Sequence, residues 1–220
     1  MARKIPLHDY GSLRVRPPLV ASGQRIGVMG GTFNPPHDGH RIIAETAIKR
    51  LGLDQLWWVA TPGNPLKGHD DLSPLAERLA DMRDIAHGPR MKLTGFEREL
   101  GTPYTAATLA FLKRRYRGVQ FVWVMGADNL ATFDRWQHWR TIAATMPIAI
   151  IDRPGWRLKA LAGAAAGALA SRRIPEGEAA GLWRRGLPAW VFLTSRLSPL
   201  SSTSLRGDTS ARRVARATAL

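Results

Sequence analysis

Two histidines three residues apart, His37 and His40, close a run that begins Gly30-Gly31-Thr32-Phe33-Asn34-Pro35-Pro36. Gly30 and Gly31 lack the Cβ atoms that keep an anion away from the main chain, so phosphate can approach the backbone N–H groups there. Pro35 and Pro36 fix φ and stiffen the turn that carries the histidines. If both histidines sit at a helix entrance, a spacing of three makes them neighbours. A helix entrance also favours negative charge, so the pair suits phosphate oxygens. A resident metal fits less well, because the chain has no cysteine and no acidic third ligand at a usual spacing. No Lys-Ser or Lys-Thr follows the glycines, which separates the stretch from the P-loop. The spacing of Gly30, Gly31 and Gly39 is also wrong for the dinucleotide fingerprint.

The elements that must hold these residues follow from hydrophobic period. Arg25–Met29 reads as a strand, and His40–Leu51 as a helix with Ile42, Ile43, Ala47, Ile48 and Leu51 largely on one face, ended by Gly52. Strands are expected at Gln55–Ala60, Met91–Thr94, Phe121–Met125, Pro147–Ile151 and Trp190–Leu193. Helices are expected over Pro74–Ala86 with Ser73 as N-cap, over Thr105–Tyr116 and over Leu158–Ser171, with a polar connection from Arg172 to Pro188. The continuous apolar run Phe121-Val122-Trp123-Val124-Met125 suits a central parallel strand buried on both faces. Strands alternating with helices at this rhythm imply a single doubly wound, mostly parallel α/β sheet with helices on both faces. Asp128 falls just past the carboxyl end of that central strand, where open α/β sheets bind ligands. Ser201-Ser202-Thr203-Ser204 opens a last helix with Arg206 one turn in. Hydroxyls, free N–H groups and a fixed guanidinium there suit a polyphosphate.

Taken together, Gly-Gly-Thr-Phe-Asn-Pro-Pro-His-Asp-Gly-His resembles the signature of the nucleotidyltransferase superfamily with the HxGH-type motif. In its extended form it is similar to the bacterial nicotinate-nucleotide adenylyltransferases. Ser201-Ser202-Thr203-Ser204-Leu205-Arg206 resembles the family's second signature, Ser-x-Thr-x-Ile-Arg. Glu97-Arg98-Glu99-Leu100 with Pro103-Tyr104-Thr105, Gly126-Ala127-Asp128 and Phe133-Asp134-Arg135-Trp136 match three further segments. The resemblance implies a Rossmann-like fold and transfer of AMP from ATP to nicotinate mononucleotide, with release of pyrophosphate, in NAD biosynthesis. It assigns Gly30, Gly31, Thr32, Phe33, His37, His40, Asp128, Ser202, Thr203 and Arg206 to ATP and its phosphates. Thr32, Asn34, Lys67, Thr105 and Trp136 go to nicotinate mononucleotide, with the Thr105 main chain near the pyridine carboxylate and the Trp136 indole on the ring. His40, His37, Arg206 and Lys67 are the implied catalytic set, and Mg²⁺ is expected to arrive with ATP. Lys67 stands where many relatives carry histidine, and it would serve a phosphate as a point charge.

Length and composition agree with this frame. The chain has 220 residues, enough for one full α/β domain, and 45% are apolar. Residues 1–24 read as an irregular arm rich in Pro and Gly, and 25–220 as the nucleotidyltransferase domain. No apolar run is long enough for a membrane span, and the first ten residues lack the apolar core of a secretory signal, so the expected location is cytoplasmic. The net charge of +15 comes from scattered arginines and from both ends rather than one aromatic-interleaved patch. It would draw in ATP, and no nucleic-acid-binding motif accompanies it. Monomer and homo-oligomer are both left open.

Overall fold

The computed structural model describes residues 15–62, 72–101 and 104–196. In chain order the elements are β1 (Arg25–Gly31), α1 (Asp38–Leu51), β2 (Gln55–Ala60), α2 (Leu75–Ile85), β3 (Met91–Thr94), α3 (Glu97–Leu100), α4 (Thr105–Arg115), β4 (Gln120–Gly126), α5 (Ala127–Leu130), α6 (Trp139–Thr145), β5 (Ile148–Ile151), α7 (Arg157–Leu161), α8 (Ala164–Ala168), β6 (Arg173–Ile174) and β7 (Trp190–Leu193). Short 3₁₀ turns at Phe133–Arg135, Ala170–Arg172 and Glu176–Arg184 join them.

Among the described residues seven strands pair in parallel, in the order β3-β2-β1-β4-β5-β7-β6. Alternation along each strand sorts the core into two layers. Phe121, Trp123 and Met125 of β4 join Ile26, Val28, Trp57 and Val59 beneath α3 to α8. Val122 and Val124 join Met29, Leu56, Trp58 and Ala60 beneath α1, α2 and the 176–184 turn. Sequence order reverses between β1 and β4, so the chain leaves their carboxyl ends in opposite directions and opens a crevice there. The residues just before β1 lie along the domain: Val15 is buried, the Arg16 N–H donates to Glu99 Oε2 (3.2 Å), and Gln55 Nε2 donates to the Leu19 carbonyl (3.1 Å).

Several local expectations are corrected. Helix α1 starts at Asp38, two residues earlier than the apolar period suggests, because His37 caps it. The His37 N–H donates to His40 Nδ1 (3.3 Å), the part a Glu or Gln at the third helical position plays in a capping box. Ser73 does not cap α2. Pro74 holds the cap position, and both main-chain groups of Ser73 are used elsewhere, its N–H on Asn34 Oδ1 and its carbonyl on Arg78 Nε. The helix expected over Leu158–Ser171 is split into α7 and α8. Gly163 breaks it with an extended ψ of 154°, at a site where a Cβ would lie 3.2 Å from the Ala160 carbonyl oxygen. The connection read over Arg172 to Pro188 contains the two-residue strand β6, too short to show a period.

The largest correction concerns Gly30. Its missing Cβ makes room for protein: a Cβ there would lie 2.5 Å from Cη2 of Trp123 on the neighbouring strand. Trp123 is 2% exposed and its indole is rigid, so it cannot swing aside. Gly30→Ala is expected to cost roughly 1–3 kcal/mol by overpacking, and adding Trp123→Phe should recover part of that loss. Urea unfolding of the single and double variants measures both; equal stability of Gly30→Ala and the parent would remove the packing role.

Candidate active site

The turn after β1 is built around Phe33. Its φ of +47° lies in the left-handed region that bulky side chains rarely occupy. Burial of the ring holds it there: Phe33 is 1% exposed, stacks on Trp58 (5.3 Å between centroids) and meets the His40 imidazole edge-on at 4.9 Å. The peptide between Asn34 and Pro35 is cis. The chain then enters α1 with the imidazoles of His37 and His40 side by side, centroids 3.9 Å apart and rings tilted by 34°.

The hydrogen bond from the His37 main chain fixes the chemistry of His40. Nδ1 accepts that N–H, so a neutral His40 carries its proton on Nε2 and is a donor at that atom. His37 is 3% exposed. Burial, and next the nearby Arg153 guanidinium, lower its pKa from 6.5 to about 4, with Asp38 pulling weakly the other way. It is therefore a neutral imidazole near pH 7.

Asp128 arrives from β4, the other strand at the crevice. Gly126 lets it fold back: a Cβ at Gly126 would lie 2.4 Å from Asp128 Oδ1 and 2.8 Å from Cδ of Arg153. Arg153, just past β5, places Nη1 3.7 Å from Asp128 Oδ2 and is itself largely buried. The site therefore gathers two imidazoles, a carboxylate and a guanidinium at the carboxyl ends of β1, β4 and β5. Asp152 anchors the β5 end: its buried carboxylate accepts from the Arg153 N–H (2.9 Å) and from Arg157 Nε (2.8 Å).

The structure brings Gly30, Gly31, Thr32, Phe33, Asn34, His37, His40 and Asp128 to this one crevice. Thr105 is the first residue of α4, at a helix N-terminus. Trp136 is half-buried and packs edge-to-face on Phe133 (5.5 Å) and Trp123 (6.4 Å). The Asn34 carboxamide oxygen is turned to the Ser73 N–H (3.4 Å), so it serves the loop before α2. Lys67, Ser202, Thr203 and Arg206 lie outside the described residues. Among the described residues no three His, Cys, Asp or Glu side chains gather as a metal cluster.

Three residues belong here that pattern reading missed. Arg153 was legible only as part of the turn Asp-Arg-Pro-Gly, although it follows a strand end, as Asp128 does. Glu97, 3% exposed, accepts from Thr108 Oγ1 (2.6 Å), and burial pushes its carboxyl above the usual range against hydrogen bonds from Thr108 and Thr61. Arg78 falls on the apolar stripe of α2 with Leu75, Met82 and Ile85, the signal that could have marked it. Arg78 is 1% exposed, and among the described residues its guanidinium bonds main-chain carbonyls alone.

Residues 28–208 match the family model described as cytidylyltransferase-like. A Rhizobium meliloti protein named "Probable nicotinate-nucleotide adenylyltransferase" is 56% identical over 181 residues, 82% of this chain and 96% of the relative. A Methylorubrum extorquens protein of the same name is 53% identical, over 83% of this chain and 98% of its own. Among solved structures, the Plasmodium falciparum nicotinic acid mononucleotide adenylyltransferase complexed with NaAD superposes with a TM-score of 0.63 at 16% identity, over 84% of this chain and 83% of that one, which speaks to the fold. With a family model spanning most of its length and relatives above one-half identity on a shared crevice, the chain belongs to the cytidylyltransferase-like family, among the nicotinate-nucleotide adenylyltransferases.

Proposed function

We infer that this protein transfers AMP from ATP to nicotinate mononucleotide, giving nicotinate adenine dinucleotide and pyrophosphate in NAD biosynthesis. The observation that carries the reading is the His37–His40 pair, held at the β1–β4 crevice in a chain 56% identical to a relative of that name. A phosphate oxygen of nicotinate mononucleotide attacks the α-phosphorus of ATP in line. The new P–O bond forms as the bond to the β-phosphate oxygen breaks, and pyrophosphate leaves with the negative charge. No covalent enzyme intermediate is required, so the protein's task is alignment and charge stabilisation.

In this proposal the Gly31, Thr32 and Phe33 main chain cradles phosphate, with Gly30 behind it. His40 donates from Nε2 to an α- or β-phosphate oxygen as charge develops, and neutral His37 supports the same oxygens. Arg153 adds a cation at the ends of β1, β4 and β5, and Asp128 lies toward the adenosine. Lys67, Ser202, Thr203 and Arg206 are assigned to phosphates, and Thr105 and Trp136 to the pyridine, by family resemblance. Cytidylyltransferase-like enzymes generally work with a divalent metal and the nucleotide. The donors at the crevice are imidazoles, backbone N–H groups and one carboxylate facing a guanidinium, a set that suits phosphate oxygens better than a resident cation. We therefore assign Mg²⁺ to the ATP phosphates, whose charge it would reduce. Residues 25–220 form the proposed catalytic domain. Among the described residues no helix is long and apolar enough to cross a membrane, and a cytoplasmic location is part of the proposal.

Pyrophosphate release from Mg-ATP should be strong with nicotinate mononucleotide and weak with nicotinamide mononucleotide and phosphopantetheine. Turnover with phosphopantetheine alone would overturn the acceptor, and none with any would overturn the activity. His40→Ala should lower kcat by roughly 10²–10³-fold at unchanged fold by circular dichroism; near-parental kcat would take His40 out of the mechanism.

The His37 protonation state also sets a stability profile. The unfolded chain binds a proton at 6.5 and the folded one only at about 4. Stability is thus full above pH 6.5 and declines as pH falls toward 4, by roughly 3 kcal/mol in total. Urea unfolding across that range should show the decline, and His37→Asn should flatten it. An identical slope in the variant would place the titration elsewhere.

A further inference from the structure

Arg78 is a buried cation whose acceptors, among the described residues, are all neutral. Nη1 donates to the carbonyls of Thr32 (2.7 Å) and Thr61 (2.9 Å), and Nε donates to the carbonyl of Ser73 (2.9 Å). The three oxygens come from three segments: the turn after β1 that carries the histidines, the end of β2, and the approach to α2. Asn34 adds a fourth tie between the first and last of these through the Ser73 N–H. A leucine or methionine at position 78 would continue the stripe of Leu75 and Met82 without the desolvation cost of a guanidinium. Packing alone therefore does not account for arginine here. A planar fork with donors in fixed directions does, because one group must satisfy carbonyls from separate strands.

The bond to Thr32 has a consequence at the site. The peptide from Thr32 to Phe33 is trans, and a trans peptide sets its N–H opposite its carbonyl. Drawing the Thr32 oxygen inward onto Arg78 therefore turns the Phe33 N–H away from Arg78. Without that anchor the peptide could rotate and present an oxygen, which repels phosphate, in place of a donor.

We propose that Arg78 is a positioning residue for adenylyl transfer, its guanidinium clamping the turn after β1, the end of β2 and the approach to α2 so that the Phe33 N–H is presented to phosphate. This rests on the function proposed above. Arg78 touches neither substrate; it acts through the peptides it holds, and the two loops it joins are those assigned to the two substrates.

The test compares Arg78→Lys and Arg78→Ala with the parent. Lysine keeps a charge but cannot reproduce the fork. At a temperature where circular dichroism shows this variant and the parent fully folded, kcat/KM should fall roughly 10²-fold, the scale of a misplaced reacting group, with the KM values for ATP and for nicotinate mononucleotide rising together. In Arg78→Ala, guanidinium ion well below denaturing concentration should restore part of kcat/KM by occupying the vacated site. A purely structural role reduces the folded fraction, scaling kcat and leaving both KM values where they were. That result, or absence of rescue, overturns the proposal. Amide exchange on the unliganded proteins separates it from the activity itself. In Arg78→Lys, exchange across residues 29–40 and 56–62 should quicken while β4 stays protected, whether or not the parent turns over any acceptor. Unchanged exchange in those segments overturns the clamp, whereas an inactive parent with quickened exchange in the variant overturns only the substrate reading.

Discussion

A sheet of parallel strands has all its carboxyl ends on one edge, and a sheet that reverses strand order must open a crevice on that edge. Both conditions meet here between β1 and β4. The chain leaves β1 toward α1 on one face and leaves β4 toward α5 on the other. Backbone groups that would be buried within the sheet are left pointing into the gap. The functional turn can therefore be short: only residues 32–37 lie between β1 and α1, roughly the reach needed to cross the strand end. Asp128, at the start of α5, and Arg153, in the turn after β5, enter the same gap directly past their strand ends. Gly126 permits this by letting Asp128 and Arg153 pass within contact distance of the strand.

Within that gap, one hydrogen bond serves both folding and chemistry. The N–H at the start of α1 has no partner within its own helix, and His40 supplies one. The same contact removes Nδ1 from solvent and leaves the proton of a neutral imidazole on Nε2. A glutamate at that position would cap the helix as well, but it would bring a negative charge to the crevice proposed to hold phosphate. Phe33 then ties the imidazole to the core, with Trp58 beneath it. The left-handed backbone at Phe33 is tolerated because its ring is buried on the far side of the turn.

Much of this was legible in the sequence, for identifiable reasons. The strand-turn-helix around Gly30 to Leu51 shows because its apolar period switches at a run of glycine and proline, and Val122 and Val124 show because a doubly buried strand must be apolar on both faces. What was hidden depends on contacts between distant segments. The two glycines look alike in the sequence, yet Gly30 answers to an indole 93 positions away and Gly31 to Phe33 two residues on. Arg78 reads as one polar residue on an amphipathic helix until Thr32 and Thr61 are seen converging on it. The split between α7 and α8 was obscured by an alanine-rich run that has helical propensity throughout; a single glycine whose Cβ would meet a carbonyl oxygen decides it.

The electrostatics of the crevice follow from the same crowding. A histidine pair facing phosphate would be expected to carry positive charge, yet His37 is held neutral. Burial removes the water that would stabilise an imidazolium, and Arg153 adds repulsion. The Arg153 guanidinium is a cation at the site, and its position is set by Asp128 and the Asp152 anchor. A bound polyphosphate would raise the proton affinity of His37 by the same Coulombic rule that Arg153 uses to lower it. The His37 imidazole is then poised to respond to the charge of the bound nucleotide, while the free protein avoids the repulsion of an imidazolium at His37 beside Arg153.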